Sequence, residues 1–215
     1  MAMTVEIWSD VVCPWCYVGK RRFEHALERF AHRDDVELTW RSFELDPGAP
    51  PERKHSSAEH LAAKYGMSVE QAEQTNAQMT ELAASEGLEY HLDRTRGGNS
   101  FDAHRLIHLA AAHDLQDAMK ERLMRAYFTE GQPVGDKDVL VRLAVEVGID
   151  AADARTALDG EAFADTVHAD EELAARIGIR GVPYFVLDRR YGVSGAQPSE
   201  LLLEALEKAW EEHAA

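Results

Sequence analysis

The chain has 215 residues, of which 45% are hydrophobic and 29% charged, a balance that excludes a disordered chain and suits one large domain or a core with an insertion. Its 39 acidic side chains outnumber 23 basic ones for a formal charge of −16, so nucleic acid and anionic membrane surfaces are not expected partners. No apolar run approaches the roughly 20 residues of a bilayer span, and MAMTVEIWSD lacks a secretory leader's basic start and apolar run, so a cytoplasmic protein is expected.

The first predicted element is a buried strand at TVEIWS, residues 4–9, rich in β-branched and aromatic side chains. From Pro14 to Ala31 the spacing turns helical, with Phe23, Leu27 and Phe30 three to four apart. VELTWRSFEL, 36–45, returns to strand character and ends at DPGAPP. Between about Ser57 and His168 the composition predicts five or six helices, stopped near Gly66, Gly87, Gly131 and Gly148. LEYHLD, 88–93, is the exception, a short alternating run of strand character. A further helix runs through Ile177. PYFVL and RYGVSG then read as a hairpin turning at Asp188 and Arg189, before a last helix with Leu202, Leu206 and Trp210 on one side. A β-α-β opening and a β-β-α ending predict one sheet built from 1–45 and 166–215, with 46–165 as an all-helical insertion.

Both cysteines of the chain, Cys13 and Cys16, lie in SDVVCPWCYVGK, where the first strand meets the first helix. A disulfide staple closing so short a loop would stabilise little. Three readings fit the pair. The first is two inert buried thiols. The second is half of a zinc site completed by histidines or carboxylates, with His104 and His108 at i,i+4 as the nearest candidates. The third is a redox dithiol, which local physics supports. Unpaired N–H groups of a helix's first turn favour a thiolate at its start, and a second sulfur one turn on can displace the product. Pro14 suits the first helical position, where its missing N–H costs nothing.

SDVVCPWCYVG, WRSFELDP, NSFDAHRLIHLA, YFTEG, GIRGVPYFVL and YGVSGAQP together resemble the DsbA-like oxidoreductases of the thioredoxin superfamily, most closely their FrnE-type branch. The resemblance spans nearly the whole chain and implies an α/β, thioredoxin-like fold with a large inserted helical subdomain. It implies a thiol-disulfide oxidoreductase or isomerase in which Cys13 attacks, Cys16 resolves, and Pro14 and Trp15 complete the active-site motif. Val182 and Pro183 would then form a cis-proline loop that presents backbone groups to an extended substrate. Polypeptide thiols and disulfides or small thiols are the implied partners. No tightly bound cofactor or metal is expected, with a low-molecular-weight thiol such as glutathione as the candidate co-substrate. Some FrnE-type relatives carry a second cysteine pair; two cysteines in all exclude an internal relay here.

The same superfamily holds kappa-type glutathione transferases and 2-hydroxychromene-2-carboxylate isomerases, which act on small aromatic molecules. Under that alternative Asn99, His104 and Arg105 of NSFDAHR would line a pocket, although Asn99 reads equally well as a helix N-cap. The intact cysteine pair argues against this, and equally against a binding or chaperone module, which needs neither sulfur.

Overall fold

The first strand's apolar residues are buried on both of its faces, which makes it a central strand. The computed structural model describes residues 2–213, so Met1, Ala214 and Ala215 of the expected sheet-bearing segments lie outside the described residues. In β1 (Met3–Ser9) Met3, Val5 and Ile7 point to one face and Glu6 and Trp8 to the other, all of them buried. Each aliphatic side chain hidden this way contributes about 1.5–3 kcal/mol. α1 (Pro14–Arg29) carries the chain back so that β2 (Val36–Ser42) lies parallel to β1, from Met3 beside Val36 to Ser9 beside Ser42. A single 3₁₀ turn at Arg33–Asp35 leads into β2.

Far along the chain, β3 (Tyr184–Leu187) pairs antiparallel with the other edge of β1, and β4 (Tyr191–Ser194) pairs antiparallel with β3. The sheet order is β2-β1-β3-β4. The turn at Asp188 and Arg189 has both residues left-handed, φ 50° and 54°, as a tight hairpin connection requires. α1 and the last helix share one face of the sheet: Phe23 of α1 stacks on Phe185 of β3 at 5.7 Å, and Leu202, Leu206 and Ala209 are buried.

The opposite face meets residues 168–176, where two buried carboxylates share a half-buried guanidinium. Trp8 donates its indole N–H to the Asp170 carbonyl at 2.9 Å. The Asp170 carboxylate accepts from Arg41 Nη1 and from the Ser42 N–H, each at 2.9 Å, while Arg41 Nε reaches Glu6 at 3.0 Å. Burial alone would pull the Arg41 pKa down, but its bonds to Glu6 and Asp170 hold it above the ordinary value.

The chain divides into two compact units, Met1–Leu45 with His168–Ala215, and Asp46–Val167. The second contains six complete helices among the described residues: α2 (Ser57–Tyr65), α3 (Val69–Ser85), α4 (Phe101–Ala111), α5 (Gln116–Phe128), α6 (Lys137–Glu146) and α7 (Ala151–Asp159). The unit boundary falls inside α8 (Ala164–Arg176), and α9 (Ser199–His213) closes the chain. Local chemistry starts and stops these helices. Ser56 with Glu59 and Ser68 with Gln71 form capping boxes, and Asp136 and Asp150 cap α6 and α7. Gly66, Gly87, Gly131 and Gly148 all have positive φ at the helix ends.

Leu106, Met119, Leu123, Leu140, Leu143 and Leu158 are fully buried in this unit. The expected strand character of 88–93 is corrected: the segment is irregular. Leu88, Tyr90 and Leu92 are buried, and the segment lies on α5, where Tyr90 stacks on Phe128 at 4.6 Å and the His91 N–H donates to the Phe128 carbonyl at 2.7 Å. Alternation records one buried side, which a helix can supply as well as a second strand.

Candidate active site

Cys13 is the N-cap residue of α1, with φ −91° and ψ 113°, and Pro14 opens the helix proper. The buried Asp10 holds the turn before it. One carboxylate oxygen accepts from the Leu45 N–H at 2.8 Å and the other from Val12 at 3.4 Å, while the Asp10 carbonyl accepts from the Cys13 N–H at 3.3 Å. The sequence carried a signal for Asp10, a short acidic side chain between a strand and a helix, which sequence reading passed over.

Both cysteines are buried thiols, 4% and 1% exposed, whereas Trp15 between them is 48% exposed. The Cys16 N–H donates to the Cys13 carbonyl at 3.0 Å, so the two sulfurs belong to one turn of helix. The Val182–Pro183 peptide bond is cis. The Cys13 thiol faces the Val182 carbonyl, with sulfur to oxygen 3.7 Å. The structure therefore brings Cys13, Cys16, Val182 and Pro183 together at the end of the sheet, where α1 starts and β3 begins.

The other residues singled out in the sequence lie in the helical unit. Arg105 has five guanidinium N–H donors, and its nitrogens meet five acceptors: Asp102 and the carbonyls of Ala157, Leu158, Gly160 and Ala162. Four of these are main-chain carbonyls at and just beyond the C-terminal end of α7, groups that a helix leaves without partners of its own. Arg105 thus ties α4 to α7. Asn99 accepts from the Phe101 N–H at 2.8 Å and donates to the Pro47 carbonyl at 3.1 Å, the work of a helix-entry residue. His104 and His108 are buried on α4. Among the described residues no group of three or more His, Cys, Asp or Glu side chains is placed to hold a metal ion, and no helix is long and apolar enough to cross a membrane.

The DSBA-like thioredoxin domain matches residues 4–207. A protein described as a probable DsbA oxidoreductase from Streptomyces coelicolor is 50% identical and superposes with a TM-score of 0.94, over 98% of this chain and 91% of that one. The cytosolic disulfide reductase DsbM of Pseudomonas aeruginosa, solved with GSH, shares the fold at 19% identity and a TM-score of 0.67, over 97% and 99% of the two chains. A 2-hydroxychromene-2-carboxylate isomerase also shares it, at 14% identity and a TM-score of 0.72, over 99% and 98%.

Proposed function

This chain belongs to the DSBA-like thioredoxin domain family, and from that premise we propose that it is a thiol-disulfide oxidoreductase acting through Cys13 and Cys16. One observation carries the reading: Cys13 caps α1 with its sulfur 3.7 Å from the Val182 carbonyl, and Cys16 follows within one turn.

The Cys13 thiolate attacks one sulfur of a substrate disulfide, forming a mixed disulfide and releasing the other substrate sulfur as a thiolate. Cys16, as thiolate, then attacks the Cys13 sulfur, closes a Cys13–Cys16 disulfide and expels the second substrate thiolate. Two electrons have passed to the substrate, and each released thiolate takes up a proton according to its pKa. Run backwards, the steps oxidise a dithiol; attack on the mixed disulfide by another substrate thiol isomerises. The surrounding redox poise sets the direction.

A chain whose sulfur reaches Cys13 passes beside Val182 and the exposed Trp15, which suits an extended polypeptide. These steps use no bound cofactor. The likeness to a cytosolic reductase solved with GSH supports a small thiol as electron donor and a cytoplasmic setting. The FrnE-type assignment within the family rests on the sequence motifs alone.

The test is a trap. Cys16→Ser leaves the mixed disulfide unresolved, so cells expressing it should accumulate DTT-sensitive polypeptide adducts that are absent from Cys13→Ser, Cys16→Ser, and the wild type should reduce insulin with a thiol donor. Capture of a small thiol alone, with Cys16→Ser still fully turning over an aromatic small molecule, replaces this reading by a transferase or isomerase. No adduct and no insulin reduction leave a binding module.

A further inference from the structure

A mid-helix glycine and a turn far along the chain converge on the loop that faces Cys13. Gly19 lies inside α1, where glycine is a poor helix former, so another need keeps it there. A Cβ at Gly19 would stand 2.8 Å from Pro183 Cγ, 3.4 Å from Pro183 Cβ and 3.5 Å from Ala196 Cβ. The Pro183 ring therefore rests on the bare backbone of α1.

Arg22, one turn further along α1, donates from Nη1 to the Ala196 carbonyl at 2.6 Å. The Gly195 N–H, on a residue with φ 81°, donates to the Pro183 carbonyl at 2.8 Å. The turn also braces itself: the Gln197 N–H reaches the Gly195 carbonyl at 2.9 Å, and the Gln197 side-chain amide reaches the Ser194 carbonyl at 2.8 Å. Pro183 is thus held by α1 and by the 194–197 turn, while the adjoining Val182 carbonyl faces the Cys13 sulfur.

We propose that Gly19, Arg22 and the 194–197 turn form a clamp that sets the Val182–Pro183 loop against Cys13 for polypeptide disulfides. They are positioning residues, and the proposal rests on the oxidoreductase reading above. A polypeptide must lie along the loop and deliver its sulfur to Cys13 at the same time, so a displaced loop misaligns the attack. A small disulfide approaches the sulfur without using the loop.

The experiment compares the wild type with Gly19→Ala, Arg22→Met and Arg22→Lys, on insulin and on glutathione disulfide, with kcat and KM measured separately and thermal unfolding recorded for each. Gly19→Ala is expected to lose about tenfold or more in kcat/KM on insulin and to stay within about threefold on glutathione disulfide, because misplacement costs only the substrate that uses the loop. Arg22→Met should show the same split to a smaller degree. Arg22→Lys, which still donates to the Ala196 carbonyl, should restore most of it. Equal losses on both substrates, or unchanged insulin turnover, overturn the clamp. Should Gly19→Ala fail to fold, the Arg22 pair decides the matter. A wild type inert toward both disulfides brings down the oxidoreductase reading and the clamp with it; an active wild type with unaffected variants brings down the clamp alone.

Discussion

The two units hold themselves together by different means. The unit of Met1–Leu45 and His168–Ala215 is closed by bonds that reach across the chain: Trp8 to Asp170 spans 162 positions, Arg41 to Asp170 spans 129, and Cys13 to Val182 spans 169. In Asp46–Val167 most helices are started and stopped by residues within a few positions of their ends, such as Ser56, Ser68, Asp136 and Asp150. Longer ties exist there too: Arg105 makes bonds reaching 52 to 57 positions, and Asn99 to Pro47 spans 52. The unit that holds the candidate site is thus closed by the longer-range contacts, and Cys13 and Val182 come together only once both ends of the chain have met.

The contrast is broken most severely at Asp170. Asp170→Ala leaves Arg41 with one carboxylate instead of two and the Ser42 N–H without this acceptor. A loss of about 3–5 kcal/mol in urea unfolding is expected, the cost of removing one partner from a buried pair. Hydrogen exchange should quicken first in β1, β2 and α8.

Arg105→Met is the counterpart in the helical unit. It keeps much of the apolar stem but withdraws the donors from four main-chain carbonyls, and about 2–3 kcal/mol should be lost. The faster exchange should appear in α4 and α7. If β1 and β2 lose as much protection as α4 and α7, the two units share one cooperative structure and the contrast fails.

The smallest effect expected is electrostatic and confined to α5, the turn after it and α6. A hydrogen bond from Arg122 holds the Glu146 carboxyl below the 4.5 of a free glutamate. At Glu130 burial pushes upward, but bonds from Arg122 and Arg125 more than offset it and the result is again lowered. Both groups bind fewer protons folded than unfolded, so their contribution is fully present above pH 4.5 and is lost as pH falls through the folded values. Urea midpoints of the wild type and Arg122→Met, measured between about pH 3 and pH 6, should converge at the acid end. The side chains are partly exposed, so the difference should also shrink in about 1 M salt.

Much of the element order was legible in the residues themselves. A strand of β-branched and aromatic residues, Pro14 at a helix entry and glycines at Gly66, Gly87, Gly131 and Gly148 are local signals, because backbone preference and capping bonds act within a few positions. The pair at Cys13 and Cys16 was legible for the same reason, its spacing and its place at a strand-to-helix junction both being properties of one short stretch. The periodicity of 88–93 was ambiguous because it reports that one side is buried and not what buries it.

What only the tertiary structure decided is where remote groups end up. Spacing cannot tell that the donors of Arg105 face carbonyls at and beyond the end of α7, or that Gly19 lies bare so that Pro183 can rest on it. Nor does any local rule order the strands β2-β1-β3-β4, which sets the Val182 carbonyl 3.7 Å from Cys13. Hydrogen bonding and close packing act over a few ångströms of space whatever the separation along the chain, so these choices are made only when the sheet closes.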